Sequence, residues 1–137
     1  MLSFRTKWRN NRGAYLKVAA DGSAATTTAE TPFYTARYRE TLLRAKYTPA
    51  AALTSNDTNY ATLKVWKRSV DGATQTAIGS EATTTTDTGS WTAFVSVEVA
   101  LLATALAPGE SLLFEITKAG TGVAVPAGIL EIQTEVN

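Results

Sequence analysis

The sequence predicts an all-β protein: an antiparallel β-sandwich, jelly-roll-like, of seven to nine strands with an extended N-terminal arm. Three observations predict it. Apolar and polar residues alternate with period two along most of the chain. Turn dipeptides such as Asp71-Gly72 and Pro108-Gly109 fall between the alternating runs. Threonine and alanine number 23 each in 137 residues, and no long segment follows the 3.6-residue period of a helix. A chain of this length buries enough surface for a core without disulfide or metal staples. We therefore divide it into a basic arm over residues 1–12 and one sandwich domain over residues 13–137.

The strands are expected as follows. Tyr15–Ala19 follows Gly13 and reads as a short strand. Phe33–Arg39 alternates, with Pro32 marking its start. Thr41–Tyr47 places Leu43, Ala45 and Tyr47 on one side and Leu42, Arg44 and Lys46 on the other, and Pro49 ends it. Asn59–Val70 turns Ala61, Leu63 and Val65 toward the core and Thr62, Lys64 and Arg68 outward. Asp71-Gly72 then makes a hairpin to Thr74–Ser80, with Ile78 inward. Glu81–Ser90 is polar and runs from extended chain into loop.

Trp91–Val99 alternates Trp91, Ala93, Val95, Val97 and Val99 against Thr92, Phe94, Ser96 and Glu98. Leu101–Ala107 is short and fits either a helical turn or a strand before Pro108-Gly109. Glu110–Lys118 and Gly128–Val136 are alternating strands separated by a Gly120-Thr121-Gly122 turn. An immunoglobulin-like sandwich is the competing architecture. It is usually shorter, and its Cys-Trp-Cys hallmark has no cysteine to use here.

Cysteine and histidine are both absent. That removes disulfides, thiolate metal sites, iron–sulfur clusters, thiol nucleophiles and the commonest general base. A Ser or Thr nucleophile would need a base, and no Ser-x-x-Lys occurs. No glycine-rich phosphate loop precedes a helix. Asp57, Asp71 and Asp87 lie in loops without a calcium-loop spacing. Glu131 and Glu135 would stand roughly 13 Å apart on one strand face, too far for a glycosidase pair, and read as a solvated face. The expectation is a protein with no enzymatic activity, no cofactor and no metal.

The net charge of +1 hides an asymmetry. Residues 1–68 hold twelve Lys/Arg and four Asp/Glu, net +8; residues 69–137 hold one Lys and eight Asp/Glu, net −7. Two readings follow: basic and acidic strands interleave within the fold, or copies attract one another. No run of 18 apolar residues and no secretory-type leader is present, so neither a membrane span nor export is expected.

Two segments mix cations with aromatics. Phe4, Arg5, Lys7, Trp8, Arg9 and Arg12 make the arm a candidate contact to a capsid or a second copy. Lys64, Trp66 and Arg68 make a second candidate binding surface, for which a glycan is the alternative ligand. A sequence pI of about 8.0 argues against a nucleic-acid domain.

The stretch from Ala107 to Gly128 adds a resemblance. A Pro108-Gly109-Glu110 turn leads into the apolar strand Ser111 to Lys118, then Gly120-Thr121-Gly122, then Pro126-Ala127-Gly128 before the last strand. This resembles capsid decoration (cement) and head-fibre-type virion proteins of tailed bacteriophages, which have jelly-roll-like domains. About half the chain is covered, and the matching motifs are turn chemistry. The resemblance implies a virion structural protein, made in the host cytoplasm, that binds the capsid exterior between capsomers. It implies the major capsid protein as partner and a homotrimer, and it supplies no catalytic or ligand residues. A carbohydrate-binding or adhesion β-sandwich module is the alternative reading.

Overall fold

A computed structural model describes residues 15–20, 22 and 28–137 of the chain. The basic arm expected over residues 1–12 lies outside the described residues. Ten strands are present among the described residues: β1 (Tyr15–Ala20), β2 (Ala29–Thr35), β3 (Glu40–Pro49), β4 (Ala61–Arg68), β5 (Gln75–Ala77), β6 (Ala82–Thr83), β7 (Val97–Glu98), β8 (Ala105–Leu106), β9 (Ser111–Lys118) and β10 (Gly128–Val136). No helix occurs among the described residues. The count exceeds the expected seven to nine because two edge strands are interrupted. β5 and β6 both pair with β4, and β7 and β8 both pair with β3. Eight strand positions result.

The strands form two five-stranded antiparallel sheets. Sheet 1 runs β1-β10-β3, with β7 and β8 beside β3. Sheet 2 runs β2-β9-β4, with β5 and β6 beside β4. The pairing is nested: β1 with β10, β2 with β9, β3 with β7 and β8, β4 with β5 and β6. The first half of the chain thus lies back along the second half as one long ribbon. Rolling that ribbon brings β10 beside β3 and β9 beside β4. This is jelly-roll connectivity.

Between the sheets lies one apolar core. Sheet 1 contributes Leu42, Ala45, Tyr47, Leu130 and Ile132; sheet 2 contributes Leu63, Val65, Leu112, Phe114 and Ile116. Phe33 meets Phe114 edge to face at 5.4 Å, and Tyr47 meets Trp91 likewise at 5.6 Å. The Tyr47 hydroxyl donates to the Pro126 carbonyl, and burial raises its pKa to about 12. Gly128 lets β10 cross close to β3, since a Cβ there would strike the Thr48 carbonyl and the Tyr47 ring.

Three strand expectations need correction. The strand expected over Phe33–Arg39 is instead Ala29–Thr35, with residues 37–39 in a bend, so Pro32 lies inside β2, at a register shift on the sheet edge where a missing N–H is tolerated. On β3 the register shifts opposite Gln133 and Thr134. Leu42 therefore enters the core and Leu43 faces solvent, the reverse of simple alternation. The run from Trp91 to Val99 is mostly loop. Trp91 is buried, but Phe94 adopts a left-handed φ of 61° and breaks the alternation, so Val95 is exposed. The Asp71-Gly72 hairpin forms as expected, with Gly72 at φ 72° and Asp71 accepting from the Ser69 hydroxyl and the Ala73 N–H.

Candidate functional site

The nested pairing decides where charge goes. Each strand from the basic half pairs only with strands from the acidic half. All five ion pairs among the described residues join the two halves: Lys17–Glu131, Lys46–Glu131, Arg44–Glu98, Lys64–Glu81 and Lys67–Glu110. Part of the charge split is thus paired within the chain, as the interleaving reading expects. Glu131 is the centre of the strongest of these. Its register partners are Lys17 on β1 and Lys46 on β3, both at 2.8 Å, and its side chain is only 6% exposed. It faces away from the core yet is not solvated, because two lysine stems cover it.

Sheet 2 carries the second candidate surface. Leu63 and Val65 point into the core, so Lys64, Trp66 and Arg68 share the outer face of β4, two residues apart. The structure brings these three together as the spacing predicts. Their register neighbours differ by row. Lys64 faces Glu115 and ion-pairs with Glu81 at 2.9 Å. Trp66 lies between Leu113 and Ala77, and Leu113 is in turn beside Pro32. Arg68 lies between Ser111 and Gln75, with Thr35 beyond Ser111. Leu113 is 4% exposed although it stands outside the core cluster. The indole Nε1 of Trp66 and the Nε of Arg68 are buried donors without an acceptor among the described residues.

The rolled ribbon leaves loops at both ends of the sandwich. At one end the loops 50–60, 84–96 and 119–127 are stitched together by short polar side chains. Asn56 accepts from the N–H groups of Thr58 and Asn59, and Asn59 accepts from the N–H and hydroxyl of Thr121. Asp57 accepts from the Thr86 N–H at 2.7 Å, which holds its carboxyl below the usual range. Trp91 and Leu53 exchange two backbone bonds, and the Phe94 N–H donates to the Pro49 carbonyl. The loop so fixed presents Phe94 at 78% exposure and Val95 at 55%.

The opposite end holds a buried carboxylate that sequence reading missed. Glu40 is 2% exposed and points between the sheets. It accepts from the Tyr34 hydroxyl at 2.8 Å to each oxygen and from the Thr134 hydroxyl at 2.7 Å. Burial, reinforced by this bond to Glu40, raises the Tyr34 pKa to about 12. The contact fastens sheet 2 to sheet 1. Its only sequence signal is that Glu40 shares parity with Leu42. A cavity of about 300 Å³ adjoins it, lined by Arg39, Lys67, Leu106, Glu110 and Asn137 among others. Among the described residues no group of three or more His, Cys, Asp and Glu side chains is placed to hold a metal.

The fold and these surfaces define a jelly-roll β-sandwich whose basic and acidic half-chains ion-pair across neighbouring strands. No family model matches the chain. No curated protein matches it either. Among solved structures it is similar to a chain in a structure of infectious bursal disease virus, Gx strain, with a TM-score of 0.47 and 11% identity. The likeness covers 92% of this chain and 33% of that one, so this chain spans about a third of the other's length.

Proposed function

We propose that this is a non-enzymatic structural protein of a virion, which decorates and stabilises the exterior of a capsid by binding between capsomers. The observation that carries the proposal is the exposure of Phe94 and Val95 on a hydrogen-bonded loop. A phenylalanine in left-handed backbone, held by a bond to Pro49 and left open to water, is costly in strain and in hydration. A partner surface that covers it offsets both costs. The jelly roll itself is a compact block used in viral shells and lectins, and it fits either use. The glycan alternative lacks a comparable observation. Trp91 is in the core, and Trp66 lines neither the cavity beside Glu40 nor a smaller one at Pro32 and Thr35.

In this reading the major capsid protein is the partner, the protein assembles as a homotrimer, and it resides on the virion surface after synthesis in the host cytoplasm. The arm residues Phe4, Arg5, Lys7, Trp8, Arg9 and Arg12 add a second contact to a neighbouring subunit. The test is co-sedimentation with shells purified without the protein. Wild type is expected to bind saturably. Phe94→Ser with Val95→Ser is expected to lose binding by more than about tenfold, as for a central interface anchor. Deletion of residues 1–12 is expected to weaken binding while leaving the fold intact. Failure of the wild type to sediment with shells, together with its absence from purified virions, overturns the proposal.

A further inference from the structure

We infer that the outer face of sheet 2 around Trp66 and Arg68 docks a carboxylate-bearing segment of a partner protein. The inference rests on the reading of the chain as a protein that docks on a shell, and it names the chemistry of one contact. Three observations lead to it.

The first is the pair of orphan donors. Trp66 Nε1 and Arg68 Nε are both buried and both lack an acceptor. They sit two residues apart on one face of one strand, about 7 Å between their backbones. An indole N–H and a guanidinium N–H can only donate. The two nitrogens have no open surface themselves, so what this face offers an acceptor is the rest of the Arg68 fork, left without compensation by its own neighbours.

The second observation is charge. Arg44, Lys46, Lys64 and Lys67 on β3 and β4 each meet a carboxylate. Arg68, at the end of β4, makes no ion pair with any described residue. Its row neighbours Thr35, Ser111 and Gln75 are neutral. A half-buried guanidinium in a neutral row selects an anion, and its planar fork suits a carboxylate.

The third is shape. The adjoining row of Pro32, Leu113, Trp66 and Ala77 is apolar. A cavity of about 220 Å³ lies at the β2 end of the same rows, lined by Pro32, Phe33, Tyr34, Thr35, Ser111 and Leu112. The occupant is therefore an acidic side chain flanked by an apolar one. The carboxylate meets the partly exposed Arg68 guanidinium beside the Trp66 ring, and the apolar group lies toward exposed Pro32 and the cavity.

The probe is the indole N–H resonance of Trp66 in the full chain, assigned by its loss in Trp66→Phe. The ligands are a blocked Leu-Asp-Glu-Leu tetrapeptide, its Leu-Asn-Gln-Leu counterpart and maltotetraose. The acidic peptide is expected to move the Trp66 resonance in a saturable way. The amide peptide and the sugar are expected to leave it in place. Arg68→Gln is expected to weaken acidic-peptide binding about tenfold or more, the loss of one charge-assisted contact. Thermal melts of Arg68→Gln and Trp66→Phe check that both variants fold. A resonance unmoved by the acidic peptide, or moved equally by the amide peptide or by the sugar, overturns the inference; the last result assigns the face to glycans. Shell sedimentation separates the two claims. If wild type and the Trp66→Phe, Arg68→Gln double variant sediment alike, the docking face is wrong and the shell role stands. If wild type does not sediment, the shell role fails, and the peptide titration still reads the face.

Discussion

On the outer face of sheet 1, register partners run in a row of alternating sign, Lys17, Glu131, Lys46 and Glu98, with Arg44 closing onto Glu98 at 2.9 Å. On the outer face of sheet 2, one row is charged, one is apolar around Trp66 and Leu113, and one holds Arg68 among neutral residues. The same pairing of basic with acidic half-chains builds both faces. It satisfies sheet 1 and leaves two donors on sheet 2 without acceptors. The difference teaches that cross-strand complementarity stops where register places no carboxylate opposite a cation. What remains there is available to a partner.

The largest effect that sharpens this contrast is expected from Glu131→Ala. It removes a buried carboxylate that both Lys17 and Lys46 meet, and we expect a loss of about 2 kcal/mol in urea-induced unfolding. A loss under about 1 kcal/mol would break the contrast, since sheet 1 would then owe little to its ladder.

Next comes alkali, which reads the interior shared by both faces. Tyr34 and Tyr47 have pKa values raised to about 12 in the folded chain against an unfolded value of 10.0. The unfolded chain loses these protons first, so stability is full below pH 10 and falls as pH rises toward 12. Melts across that range should show the fall, and Tyr47→Phe should shrink it. A flat profile would mean that neither hydroxyl is held protonated by the fold.

Trp66→Phe should have a smaller effect, and of the opposite sign to an ordinary core truncation. It removes an unsatisfied donor while keeping an aromatic ring over Leu113, so stability should be unchanged or rise by up to about 1 kcal/mol. A clear loss would show that the indole N–H is satisfied in solution. The smallest effect belongs to Arg44→Ala. Arg44 and Glu98 are both about half exposed, and the expected loss is about 0.5 kcal/mol or less, vanishing in 1 M salt.

Several of these features were legible in the sequence and others were not. Ala61, Leu63, Val65 and Ile78 were readable as inward-facing, because unbroken period-two alternation on either side of Asp71-Gly72 leaves only one consistent register. Leu42 and Leu43 were not, because a bulge exchanges their faces and depends on β10, which lies far away in the chain. Pro32 misled for a related reason: on an edge strand a proline interrupts nothing, and only the sheet order makes β2 an edge. Val95 alternated correctly in sequence, but the left-handed backbone at Phe94 turned that segment into a loop. Lys64 and Arg68 were readable as outward-facing from their parity with Thr62. The missing acceptors of Trp66 and Arg68 were invisible, because acceptors come from neighbouring strands.

The sequence by itself determined the all-β class, the turns at Asp71-Gly72, Pro108-Gly109 and Gly120-Thr121-Gly122, and the exclusion of cysteine and histidine chemistry. Those properties are local: each follows from composition or from residues within a few positions. Only the tertiary structure decided that the basic half ion-pairs with the acidic half, that Glu131 and Glu40 are buried, and that Arg68 makes no ion pair with any described residue. Those outcomes depend on which distant strands meet and in which register. A chain whose alternation has period two states which residues share a face, and rolling the ribbon chooses what that face will meet.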